Sequence, residues 1–169
     1  MKLKKDVIKL QDLSYLEKVI GNWVLHENEY KNRHLILMVT KALSLLKYKE
    51  SDIRKVILGI YLMDIGLHLM TDDEEYDNHP IKGVIYVGTS NELEIVKNVV
   101  LLHHENYIGT GFPYGLEGNQ IPEYVQVVNI CIKYIENSQE RFLTKIENIS
   151  KLNELYNNDL VEYLNQKIF

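Results

Sequence analysis

Only three prolines punctuate this 169-residue chain, and each falls where a helical protein tolerates one. Pro80 sits early in a helical stretch, Pro113 in a loop and Pro122 at a helix start, where a fixed φ and a missing N–H do no harm. Between them apolar residues recur at helical spacing. From Glu29 to Lys47 the stripe is Leu35, Met38, Val39, Ala42, Leu43 and Leu46. Glu50 to Gly66 is apolar almost all round after Ile53, the pattern of a central buried helix. Thr89 with Glu92 reads as a capping box opening a helix that ends at His103-His104. Pro122 to about Ser138 gives another helix, and Leu155 to Ile168 a last amphipathic one. No period-two pattern of any length competes. The expectation is an all-α bundle of roughly six to eight helices.

This length suits one domain with a substantial core, residues 29–169, preceded by a helical N-terminal extension over residues 1–28. A formal charge of −5 argues against a nucleic-acid duplex as the main partner. No signal peptide and no span long enough to cross a bilayer is visible, so the expectation is a cytoplasmic protein without a membrane partner. The single cysteine, Cys131, excludes an intrachain disulfide framework. It lies in the apolar run from Val127 to Ile132, which predicts a buried, inert thiol. Asp72, Asp73, Glu74 and Glu75 read as a solvated loop or helix start rather than a metal site.

The chemistry gathers further along. His103-His104-Glu105 ends the apolar run Val99-Val100-Leu101-Leu102, and a loop of Gly109, Thr110, Gly111, Phe112 and Pro113 follows. Gly115-Leu116-Glu117-Gly118-Asn119-Gln120-Ile121-Pro122 comes after it. Imidazole and carboxylate are ligands for divalent zinc, iron or manganese. Glycine lets a backbone approach a ligand closely and proline stiffens the loop that does so. Adjacent residues on a helix diverge by about 100°, so two neighbouring imidazoles converge only near a helix end. The glycine loop puts them there.

These residues resemble the signature of the HD-GYP family, bacterial metal-dependent phosphohydrolases best known for degrading cyclic di-GMP. The family pattern is His-His-Glu, three residues, Gly-x-Gly-Tyr-Pro, then Gly-Leu-x-Gly-x-x-Ile-Pro. Here Phe112 replaces the tyrosine, and Ile108 stands where an aspartate is usual. The resemblance runs from about Tyr30 to the C-terminus and implies an HD-domain-like helical bundle.

Residue by residue, the resemblance implies one metal position kept and one lost. The hallmark His-Asp dyad, followed by Ile-Gly-Lys, corresponds to Met63-Asp64-Ile65-Gly66-Leu67. The aspartate survives, but a thioether is a poor ligand for such metals, and leucine cannot donate to a phosphate. The first histidine position falls at Lys31, with His34 one turn along able to compensate. The final aspartate falls at Ile132, and a second acidic position at Ile135. Asp64, His79, His103 and His104 remain as implied ligands of one divalent ion (iron, manganese or zinc), and Glu105 is a candidate orienting group or proton acceptor beside them. A carboxylate in so apolar a context as Asp64 needs a metal, His68 or a backbone donor to satisfy it. His26, His34 and His68 read as surface or hydrogen-bonded histidines. The interval from Asp64 to His79 is shorter than the family's, which leaves open whether His79 reaches the others.

Three functions remain. One is a degenerate HD-GYP domain, a signalling or regulatory module that binds a cyclic dinucleotide, another phosphoester, or a protein partner through Gly109–Pro113. Another is an active mononuclear phosphohydrolase. The last is a scaffold whose histidines are relics.

Overall fold

The computed structural model describes residues 29–71, 73–139 and 144–169, with residues 29–32 and 139 described as backbone. Residues 1–28, and with them the expected N-terminal extension, lie outside the described residues. Seven α-helices follow one another among the described residues: α1 Glu29–Leu45, α2 Glu50–Leu62, α3 His79–Val87, α4 Glu94–Leu102, α5 Glu123–Gln139, α6 Lys145–Leu155 and α7 Asn158–Lys167. No strand occurs among them; the backbone pairs only in an isolated bridge between Ile108 and Glu117. The bundle is all-α, as its periodicity requires.

In α1 the expected stripe of Leu35, Met38, Val39, Ala42 and Leu43 is buried. Its end is closed by Leu46 N–H donating to Ala42 O and Tyr48 N–H donating to Leu43 O, with Lys47 in the left-handed region at φ 65°. Glu50 and Asp52 in the first turn of α2 suit the positive end of its dipole.

Helix α2 stops at Leu62, short of the expected Gly66, and residues Ile65–Leu69 tighten into a 3-10 turn. The cause is a close approach. A Cβ on Gly66 would collide with the backbone carbonyl of His79, so the chain must bend and carry glycine where α3 begins. Asp64 therefore lies beyond the helix, and its side chain is 54% exposed rather than buried. The central position belongs instead to α5, where every residue from Val125 to Cys131 is buried. Burial pushes the Cys131 thiol up, away from the reactive thiolate.

Two further boundaries differ from expectation. The cap before α4 is Ser90, whose hydroxyl accepts from Glu92 N–H at 3.3 Å, and a 3-10 turn over Asn91–Leu93 precedes the helix. The expected last helix is α7, capped by Asn157 through Leu160 N–H at 3.2 Å, and the unexpected α6 precedes it, opened by a capping box of Thr144 and Glu147. The main core joins α1, α2, α4, α5, α6 and α7. A smaller cluster of Leu58, Leu62, Val87, Leu93, Val96 and Val100 holds α3 against α2 and α4. Each such fully buried side chain contributes about 1.5–3 kcal/mol, and this cluster fixes where three helix ends meet.

Candidate metal centre

Asp64 follows the end of α2, His79 is the first residue of α3, and His103 with His104 follows the end of α4. One ligand atom from each of these four lies within 4.8 Å of every other. Despite the short interval, the turns Ile65–Leu69 and Tyr76–Asn78 deliver His79 to the group. Two of the three meeting points are helix C-termini, where the partial negative charge of unpaired carbonyls favours a cation.

Hydrogen bonds set the imidazole tautomers. His79 Nδ1–H donates to Tyr76 O at 2.8 Å, and His103 Nδ1–H donates to Val100 O at 2.9 Å. A carbonyl only accepts, so both protons of the neutral rings are committed. The two Nε2 atoms then face each other at 3.2 Å, and Asp64 Oδ1 stands 3.6 Å from each. His104 Nε2 is buried with no hydrogen-bond partner. Buried lone pairs gathered in this way are costly without a positive centre. Ligands held about 2.0–2.2 Å from one first-row ion stand roughly 3–3.5 Å apart, close to the spacing of these three atoms. The donor set and its orphaned nitrogens fit a divalent metal.

Charge is arranged in the same sense. Burial, reinforced by His103 and His79, pulls the His104 pKa down to about 3. Burial also lowers that of His79, against the opposing pull of its bond to Tyr76. Partial burial resists ionisation of Asp64, but the nearby imidazoles, His103 foremost, outweigh it and hold the carboxyl below 3.8. At neutral pH the site offers a carboxylate anion beside neutral His79 and His104, the forms that bind metal.

The glycine loop closes over one side. Phe112 stacks on His104 with ring centroids 4.2 Å apart, and Tyr76 tilts against His79 at 4.7 Å. A Cβ on Gly111 would strike the backbone of His104 and Glu105, so the close approach this glycine permits is to the chain's own histidine turn. Asn106 organises the tip: its Oδ1 accepts from Thr110 N–H at 3.1 Å and its Nδ2 donates to Thr110 Oγ1 at 2.9 Å. Glu105, 1% exposed, spends both oxygens on the loop backbone, accepting from Tyr114 N–H at 2.8 Å and Leu116 N–H at 3.0 Å. That geometry is a loop anchor, and it competes with the proton-acceptor reading of this residue.

The other named positions stand apart. Met63, Ile132 and Ile135 are half-buried and pack on the core, while Leu67 and Ile108 are exposed apolar side chains. His34 and His68 are exposed and outside the four-residue group. His26 and the side chain of Lys31 lie outside the described residues. In the acidic segment Thr71 binds Asp73 and Lys82 pairs with Glu74, while Asp72 lies outside the described residues. Sequence reading missed Tyr76, whose only signal is its place three residues before His79. It also missed Asn129, a lone amide inside an apolar run.

A 37-residue stretch, 22% of the chain, is 49% identical to a cyclic di-GMP phosphodiesterase of Vibrio cholerae, of which it covers 8%. The fold is similar to that of Bd1817, an HDG"Y"P protein from Bdellovibrio bacteriovorus, with a TM-score of 0.61 and 20% identity over 90% of this chain. The chain spans 59% of that protein's length. Among the described residues no helix is long and apolar enough to cross a membrane. The HD domain family model matches residues 31–163, and with the helix ends, histidines and glycine loop described above, this chain belongs to the HD domain family and resembles its HD-GYP members.

Proposed function

We propose that this protein is a degenerate HD-GYP-like module that keeps one metal position, has lost the other, and works by binding more than by hydrolysis. The observation that carries this is the contrast between two sets of positions. Asp64, His79, His103 and His104 converge, whereas Met63, Leu67 and Ile132 offer no metal ligand or phosphate donor. Three imidazoles and one carboxylate suit zinc, iron or manganese better than calcium or magnesium. Such an ion, once bound, supplies a Lewis acid for a phosphoryl oxygen. The paired ions that clamp both sides of a phosphoryl transfer need the ligands this chain lacks.

The remaining residues provide for a ligand. Asp64 leaves an open side to the group, and Tyr76, 53% exposed, presents an aromatic face beside it on which a nucleobase can stack. The likeness to a cyclic di-GMP phosphodiesterase makes that dinucleotide the first ligand to try. The loop from Gly109 to Pro113 is the surface we assign to a protein partner. Calorimetry of metal-loaded protein with cyclic di-GMP, beside a turnover assay, tests the proposal. Binding without turnover is expected, and turnover at ordinary enzyme rates sinks it.

The open side at Asp64 also favours a second reading, a mononuclear phosphohydrolase, because catalytic metal sites keep a position free for water or substrate. Activity unchanged in His103→Ala would end that reading.

A further inference from the structure

We infer that Asn129 is a positioning residue, which sets the two adjacent histidines of the metal centre from the neighbouring helix. This inference rests on the metal-centre reading above and deepens it. Asn129 lies in the buried middle of α5 and is 1% exposed. Its single amide donates to Leu102 O at 2.8 Å and to Glu105 O at 2.8 Å. Those carbonyls flank His103 and His104 on either side, so one side chain pins both ends of the turn that carries them.

The turn needs that support. On a continuing helix the two rings would diverge by about 100°; they converge because the backbone leaves the helix at Leu102. Leaving exposes carbonyls that the helix no longer satisfies. Glu105 N–H donates to Leu102 O at 3.0 Å, and Phe112 N–H reaches His104 O at 3.4 Å. Asn129 supplies the side-chain donors that tie this turn to another helix; elsewhere α5 meets α4 through apolar side chains and the hydrogen bond from Asn98 to the Tyr124 hydroxyl. Its Oδ1 is buried without a partner. A polar group kept under that cost in an otherwise apolar segment is there for its N–H groups.

The test compares Asn129→Asp, which keeps the shape but loses both donors, with Asn129→Ser, whose hydroxyl serves one carbonyl. The control is Asn148→Ala, which breaks a buried amide contact with Asn137 elsewhere on α5. Cobalt(II) affinity, the visible spectrum of the cobalt protein and the imidazole resonances of metal-free protein are read together with melting temperature. Asn129→Asp is expected to weaken cobalt binding roughly 10–100-fold and to alter the spectrum, with a smaller loss in Asn129→Ser. Asn148→Ala is expected to lower the melting temperature and leave affinity and spectrum unchanged. A folded Asn129→Asp with wild-type affinity and spectrum overturns the inference. If that variant does not fold, Asn129→Ser decides it by the same readings. If wild-type protein takes up no cobalt, the metal reading fails by itself and the metal-free ring resonances decide. Shifts of His103 and His104 in Asn129→Ser, absent in Asn148→Ala, uphold the positioning role; no shift in either overturns it.

Discussion

The Nε2 atoms of His79 and His103 stand 3.2 Å apart, and the Nδ1–H of each ring already donates to a backbone carbonyl. Two lone pairs so placed, with Asp64 Oδ1 3.6 Å from both, make a pocket of negative potential where the three helix ends meet. A divalent ion relieves this and stabilises the folded state it binds. At a hundredfold excess over its Kd the ion adds about 2.7 kcal/mol, a rise in Tm of roughly 5–10 °C for a domain of this size. Thermal melts with zinc or manganese should show that rise in wild type and none in His103→Ala. Equal shifts in both proteins would put the ion elsewhere.

Gly66 is the hinge on which Asp64 and His79 meet. A methyl group there collides with backbone, not with a movable side chain. Gly66→Ala should therefore cost about 1–3 kcal/mol or more, and it should weaken metal binding by separating α3 from the turn that follows α2. Chemical denaturation with a metal titration checks both. A stable variant with intact affinity would contradict that close approach.

Glu105 distinguishes loop anchoring from proton transfer. Both oxygens accept backbone N–H groups, and glutamine can accept only one while turning a donor toward the other. Glu105→Gln should cost about 1–3 kcal/mol and speed hydrogen exchange at the amides of Tyr114 and Leu116. Unchanged stability and exchange would contradict the anchoring role.

Helix periodicity and proline placement were enough to indicate the all-α bundle, because burial of apolar stripes is a local, repeating signal. The end of α2 was not legible. Residues 63–66 continue an apolar pattern, and what stops the helix is contact with His79, thirteen positions after Gly66. The sequence likewise hides that Asp64 is exposed, since its neighbours are apolar and its exposure comes from the turn. Helix α6 does carry a local signal, since Thr144 and Glu147 have the capping-box spacing. Tyr76 and Asn129 act through a backbone carbonyl and an amide, and neither contact leaves a motif. The spacing of His103, His104 and the glycines did leave one, because two adjacent residues can converge only where a helix ends.

The capping box at Thr144 offers a test of α6. Thr144→Ala removes the hydroxyl that accepts from Glu147 N–H and donates to Glu147 Oε2, at a cost of about 0.5–2 kcal/mol. The Thr144 backbone N–H, then its hydroxyl, hold the Glu147 carboxyl below its ordinary 4.5. A depressed folded pKa gives stability that is complete above the unfolded value and fades as pH falls through the folded one. The gap between wild type and variant should therefore narrow well below pH 4.5. A gap constant through the acid range would show that the carboxylate takes no part in the cap.

The most direct test is elemental analysis of protein purified without a histidine tag, beside a His103→Ala/His104→Ala variant. Asp64, His79, His103 and His104 together should hold roughly one equivalent of iron, manganese or zinc, lost in the variant. No metal in the wild-type protein after anaerobic reconstitution, or equal metal in both, would contradict the retained metal position.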